Sequence, residues 1–415
     1  MAGCATPSPI CSSSRFWSIG RRGCLAGRSS SATRRSEVAT EAPAAVRQQA
    51  RTPSGSGRSL ARATLGGIVI ALPVLVLAAV ILWFAPTYYV RLATVALVNL
   101  IIVVGLQTFM GNSNTAHLGH SAFVAIGAYA VAILATPLNM KKLSIPDAPF
   151  GLSHVVLDPV VAGAVALLVV GVLAAVTGRI IARLSGIAAT IVSLAFLIVT
   201  HSTILNWTDL FKGNQGFFGI PRVVDIYWML AFATLSIVAA RIFKDSKYGL
   251  QLRASAQSPQ AAAAFGVNAK GLRFGAWILS GLICGLAGIL YAYFVGTISP
   301  RVFYFHQVMM TLAMLILGGM GTVTGAVTGV IALSVLLEFI RGIESGVTVA
   351  GIQLPQVLGL SGVALGAVIV LSMAFRPDGI AGRYELDEQI ARLFSRRPPA
   401  SDPSTATVEA SRELL

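Results

Sequence analysis

Charged side chains are scarce in this sequence: Asp, Glu, Lys and Arg make up 11% of its 415 residues. Soluble domains carry roughly a quarter, so a soluble globular body is excluded. The deficit is also uneven. No charged residue occurs from Val302 to Leu337, nor from Val347 to Phe375. Uncharged apolar runs of about 18 or more residues read as transmembrane helices. Within the apolar runs Glu338 is the single acidic residue, and it lies near an end. That weighs against a stand-alone secondary transporter, which needs coupling-ion sites, and against a membrane-embedded transferase, which needs clustered acidic or nucleophilic groups. Cysteine is scarce too. Cys4, Cys11 and Cys24 precede the first apolar run and Cys284 lies inside one, so no spacing suits a disulfide framework or a zinc site. The P-loop pattern G-x-x-x-x-G-K-[ST] is missing, which excludes that mode of ATP binding in this chain.

What remains is apolar and ordered into blocks. Hydrophobic residues make up 55% of the chain, and its mean hydropathy is +0.77. Ten candidate spans follow: 65–84, 92–110, 118–137, 159–178, 186–205, 226–243, 273–296, 307–320, 323–340 and 353–375. The eighth and ninth form one apolar stretch interrupted by "LGGMGTVTGAVTG". Its glycines are read as a break, because one helix over the whole stretch would overshoot the hydrocarbon core. The fold class expected is all-α, a polytopic transmembrane helical bundle of about ten spans. The fallback is eight, with 307–340 folded as a re-entrant pair.

The net charge of +15 is concentrated in places. Ten arginines lie in residues 1–63 against Glu37 and Glu41, and six basic residues in 241–273 face only Asp245. Arg179 and Arg183 mark one further turn, and Arg376, Arg383 and Arg392 follow the last span. Cytoplasmic loops carry an excess of Lys and Arg, and ten spans put all four blocks on that side. Both termini are therefore expected in the cytoplasm. Residues 1–63 read as a disordered basic tail beside anionic lipid, with no nucleic-acid partner. Their bias also resembles an organelle transit peptide, and a start placed too far upstream would leave the same composition. A secretory signal is excluded, since the first long apolar run begins near Leu65. Residues 64–376 are expected to form the membrane domain, with a cytoplasmic loop at 244–272, and residues 377–415 a cytoplasmic polar tail.

That central loop contains "SPQAAAAFGVNAKGLRFGAW", Ser258 to Trp277. Pro259 suits a first helical turn, "QAAAAF" is strongly helix-forming, and Gly266 suits a left-handed cap. A short, nearly side-chain-free helix is a poor enzyme site but fits a groove on another protein. An idle linker is the bland alternative.

The pattern Gln260-Ala261-Ala262-x-x-x-Gly266 resembles the E-A-A-x-x-x-G coupling loop of ABC importer permeases, with Gln where Glu is usual. Tyr248 to Pro300 is similar to the corresponding region of branched-chain amino acid permeases of the LivM type. So are "LGHSAFVAIGAYAVAIL" (118–134), "NQGFFGIP" (214–221), "MLILGGMGTVTGAVTG" (314–329) and "FRPDGIAGR" (375–383), in the family's order across residues 65–383. The resemblance implies a non-enzymatic permease subunit in a bacterial plasma (inner) membrane, forming the translocation pathway for branched-chain or related amino acids. It implies a homologous second permease subunit, two ABC ATPase subunits that use the ATP, and an extracytoplasmic substrate-binding protein, with no cofactor in this chain. The implied coupling residues are Arg253, Pro259, Gln260, Ala261, Ala262 and Gly266. Where the family usually runs Gly-x-x-Ser-Leu-Gly-His, this chain has Asn114-Thr115-Ala116-His117-Leu118-Gly119-His120. That departure leaves urea or short amides open as substrates, beside the stand-alone transporter.

Intramembrane polar groups are costly and usually face the protein interior or a water-filled path. Asn99, Gln107, Asn112, Asn114, His117, His120 and His201 are therefore candidate pathway residues. His117 and His120 are three apart, a spacing that also admits a metal, but with no Cys or carboxylate near them packing is the default. Glu338 and Arg341 are expected to form a local ion pair.

Overall fold

A computed structural model describes residues 56–145, 149–344, 348–349, 352–353, 359–376, 379–382 and 385–386. Residues 1–55 of the expected basic tail, and most of the expected polar tail after 376, lie outside the described residues.

All ten apolar segments contain an α-helix. They are α1 (Ser56–Phe84), α2 (Thr87–Ser113), α3 (His120–Ala135), α5 (Pro159–Ile181), α6 (Ile187–Asn206), α8 (Ile226–Asp245), α11 (Ala269–Val295), α12 (Phe305–Gly318), α13 (Val323–Glu344) and α14 (Leu360–Phe375). Four short helices join them: α4 (Leu138–Ser144), α7 (Thr208–Phe211), α9 (Lys247–Gln257) and α10 (Pro259–Ala264). Helix α1 starts inside the segment assigned to the tail. Helix α14 starts later than its apolar run, whose first residue belongs to a two-stranded hairpin, β3 (Thr348–Val349) with β4 (Ile352–Gln353). The other strand pair, β1 (Phe217–Phe218) with β2 (Thr297–Ile298), ties the loop before α8 to the end of α11.

Among the described residues eight helical segments are long and apolar enough to cross a membrane, with α12 counted together with the 3-10 turn before it (Pro300–Gly318), while α3 and Leu360–Ser372 of α14 are shorter apolar helices. At 1.5 Å per residue, the 16 residues of α3 span about 24 Å, less than a hydrocarbon core of ~30 Å. Most of α3 is buried, and backbone that stops short is tolerated at membrane depth only inside protein.

The core is organised around α11, which packs on α2, α3 and α5. Small residues make this possible. A Cβ on Gly127 of α3 would overlap the Gly285 carbonyl of α11, and one on Gly288 would overlap the Val124 carbonyl. Backbones that approach this closely are the membrane's substitute for a hydrophobic drive between helices. The break between α12 and α13 falls at Gly319–Thr322, within the glycine-rich stretch. Burial then sorts the bundle: 78% of the apolar window of α2 is buried, against 22% for α5. Helix α2 is an axis of the fold, and α5 presents most of its surface outward.

Candidate functional site

The basic central segment folds as a capped helical relay. Ser246 begins α9 by accepting the Gly249 N–H, Ser258 begins α10 by accepting from Ala261, and Asn268 begins α11 by accepting from Gly271. Helix α10 ends in a Schellman motif: the Val267 N–H reaches the Ala262 carbonyl (3.0 Å), and the Gly266 N–H reaches Ala263 (3.0 Å). Gly266 takes φ +76°, the left-handed conformation that such a cap requires. The cap inferred from sequence is therefore present.

On α10, Pro259, Gln260, Ala261, Ala263 and Ala264 are exposed, while Ala262 is buried against this chain. Ala262 thus faces inward, and the outward surface belongs to its neighbours. Phe265, 87% exposed at the helix tip, is part of that surface and was not singled out from sequence. An exposed aromatic beside a run of alanines could have signalled it. Arg253 also turns inward: its Nη2 donates to the Lys244 carbonyl at the end of α8 (2.9 Å). It braces α9 against α8.

The polar residues of α2 and α3 fall into separate groups. Gln307 Nε2 on α12 donates to Asn99 Oδ1 on α2 (2.9 Å). One turn along α12, Thr311 Oγ1 lies 2.8 Å from His120 Nε2, while His120 Nδ1 donates to the His117 carbonyl (2.9 Å). Gln307 and Thr311, both missed from sequence, share one face of α12 and join it to α2 and α3. His117 is fully buried in an aromatic nest. Its ring centroid lies 4.1 Å from Trp277, 5.4 Å from Phe109 and 5.8 Å from His120. Neither ring nitrogen of His117 has a hydrogen-bond partner among the described residues, and the same holds for the Gln107 amide. Asn112 Nδ2 donates to the Thr108 carbonyl (2.9 Å), leaving its Oδ1 unpartnered.

Asn114 and His201 stand apart from this group. Asn114 is exposed and ends α2 at φ 50°, with its N–H on the Met110 carbonyl. Glycine suits such a cap, and Asn is the side chain that tolerates it best. The replacement of Gly by Asn there has a backbone reason. His201 on α6 stacks on Tyr304, with ring centroids 4.0 Å apart.

A second assembly, also unforeseen, closes the end of α13. Glu385 is buried. It accepts the Val323 N–H (2.9 Å), the Thr324 N–H (3.0 Å) and the Thr324 hydroxyl (2.6 Å). Lys244 Nζ donates to its Oε1, and Arg241 Nη1 lies 3.3 Å away. Burial pushes the Glu385 carboxyl up, but the Lys244 charge and the bonds from Lys244 and Thr324 outweigh it and hold the group below its ordinary 4.5. Just upstream, the N–H groups of Ile380 and Ala381 donate to Leu317 and Gly318 (2.9 and 3.1 Å). These are among the last carbonyls of α12, which have no partner within the helix. Ile380, Ala381 and Glu385 thus tie the α12–α13 break to the end of α8.

The arrangement presents an exposed capped helix between two long apolar helices, and a buried polar seam along α2, α3 and α12. Residues 88–373 match the family model described as the branched-chain amino acid transport system / permease component. The high-affinity branched-chain amino acid transport system permease protein LivM of Escherichia coli (strain K12) is 25% identical over 329 residues, covering 70% of this chain and 69% of its own. The LivM protein of Salmonella typhimurium is 25% identical over the same coverage, and LivH of Escherichia coli (strain K12) is 26% identical over 219 residues, 51% of this chain and 66% of its own. No solved structure matches the chain. With more than half its length matched, and with its helices, break and capped loop where the motifs require them, the chain belongs to the family of permease components of branched-chain amino acid transport systems.

Proposed function

We propose that this chain is the pore-forming subunit of an ABC importer for branched-chain or related amino acids, crossing a bacterial inner membrane ten times with both termini in the cytoplasm. A homologous second permease completes the pathway, two ATPase subunits drive it, and an extracytoplasmic binding protein delivers substrate. Access alternates by rigid-body gating of packed helices. The observation that carries the reading is α10, capped at both ends and exposed on every residue but Ala262. In this reading Gln260, Ala261, Ala264 and Phe265 meet the ATPase, while Arg253, Ala262 and Gly266 hold the helix in place.

The test is co-expression with the two ATPase subunits and measurement of leucine uptake. Ala264→Glu with Phe265→Asp should lower uptake more than about tenfold and release the ATPases in a detergent pull-down, since an unpaired charge in a close contact costs several kcal/mol. Normal uptake with the ATPases retained would reduce α10 to a linker. A second reading, urea or short amides as substrate, is favoured by His117, whose unpartnered ring nitrogens stand where the family usually has Ser. Competition by urea and acetamide, in the wild type and in His117→Ser, separates the two.

A further inference from the structure

We propose that a basic cleft between α5 and α11 binds the phosphate of an anionic phospholipid. The cleft has a volume of about 340 Å³ and is lined by Arg179, Ala182, Arg183, Lys270, Gly271 and Phe274. Its three cations are exposed, and none has an ion-pair partner among the described residues. The general bias of Lys and Arg toward one membrane face explains their presence at this level. It does not explain why three of them, from α5, the turn after it and α11, border one cavity with no carboxylate among its lining.

The cleft is built rather than accidental. Gly178 lets α5 lie so close to α11 that a Cβ there would stand 2.9 Å from Trp277 and 3.2 Å from Phe274. Trp277 Nε1 donates to Thr177 Oγ1 across the same junction (3.1 Å). Arg273 Nη1 donates to the Leu184 carbonyl (3.1 Å), fixing the turn that carries Arg183. The backbone framework of the cleft is therefore set before a ligand arrives, and binding has only the exposed side chains to order.

A lipid is favoured over any other phosphate by what adjoins the cleft. Val172, Val176 and Ile180 of α5 are all more than half exposed, and they run from the cations along the most outward-facing of the long helices. An acyl chain lies along such a face while its phosphate sits among the arginines. Basic pockets between transmembrane helices at the membrane surface hold anionic headgroups by this charge complementarity. Lys270 also lies in the first turn of α11, a few residues after α10, so occupancy would stiffen the base of the coupling loop.

The experiment uses the full chain in nanodiscs of phosphatidylcholine with increasing phosphatidylglycerol, and native mass spectrometry of the lipid that stays bound. R179Q/R183Q/K270Q should lower phosphatidylglycerol retention at least about tenfold, since each Lys or Arg near the headgroups contributes roughly fivefold. Phosphatidylcholine retention and the thermal midpoint should not move, and R179K/R183K/K270R should restore binding. Equal retention in the glutamine variant overturns the proposal. Displacement by inorganic phosphate at the same concentration as lipid would assign the cleft to free phosphate and overturn the lipid site. Loss of phosphatidylglycerol from wild type once ATPase subunits are bound would assign the cations to a subunit contact, and overturn it equally.

Discussion

Helix α13 carries Glu338 near its carboxyl end and meets Glu385 at its amino end, and the two carboxylates behave differently. Near its carboxyl end Glu338 pairs with Arg341 three residues away (3.1 Å) and accepts the Tyr88 hydroxyl of α2 (2.8 Å). The Arg341 side chain is 61% exposed. At the amino end Glu385 arrives from beyond the last helix and is buried among Lys244, Arg241 and the first N–H groups of α13. One carboxylate decorates a helix that would form without it. The other completes a helix end and joins three elements that nothing local would bring together.

Removing Glu385 should have the largest effect. Glu385→Ala leaves Lys244 and Arg241 facing a buried gap and orphans the N–H groups of Val323 and Thr324. Breaking a buried pair in this way costs about 3–5 kcal/mol. A thermal midpoint in detergent would show a large drop, with Glu385→Gln intermediate because its amide oxygen still accepts from the helix. A shift no larger than that of an exposed substitution would erase the contrast between the two ends.

Acid should reproduce part of that loss. The folded state holds the Glu385 carboxyl below its ordinary 4.5, so the folded form binds its proton later than the unfolded form. Its stabilisation is complete above that ordinary value and is lost as pH falls through the lower folded one. Between neutral pH and about 5 this group should leave stability flat. Below that, wild type should converge on Glu385→Gln. If their midpoints stay equally separated down to strongly acid pH, the charge is not what holds the end of α13.

The contrast also explains what the sequence reveals. Glu338 and Arg341 are three apart on one helix, so their pairing is local and legible. The ten apolar segments, the glycine break before α13 and the Gly266 cap are equally local, and each is found in the fold. Glu385 is not legible, because its partners at Lys244 and Thr324 are distant in sequence and its own segment is polar. The polar seam divides the same way. Polarity alone picked out Asn99 and His120, but their partners Gln307 and Thr311 come from α12 and only packing supplies them. Asn114 was grouped with them for its side chain, yet its backbone angle is what the position demands. Ala262 is legible as part of the coupling motif, but that it lies buried against this chain is supplied only by packing.

The smallest effect is expected at Glu338. An exposed pair gains little Coulomb energy and gives up side-chain freedom, so it contributes about 0–1 kcal/mol. Glu338→Gln removes the charge but leaves an amide oxygen for Tyr88, so the thread from α13 to α2 survives. Glu338→Ala removes both, and the difference between the two variants isolates the Tyr88 bond, worth roughly 1 kcal/mol if it persists in the membrane. Added salt should narrow the gap between wild type and Glu338→Gln while leaving Glu385→Ala as damaged as before, because buried pairs are screened far less than exposed ones. If Glu338→Gln proves as damaging as Glu385→Ala, and salt makes no difference, then the outer end of α13 is a second buried anchor rather than a decorated surface.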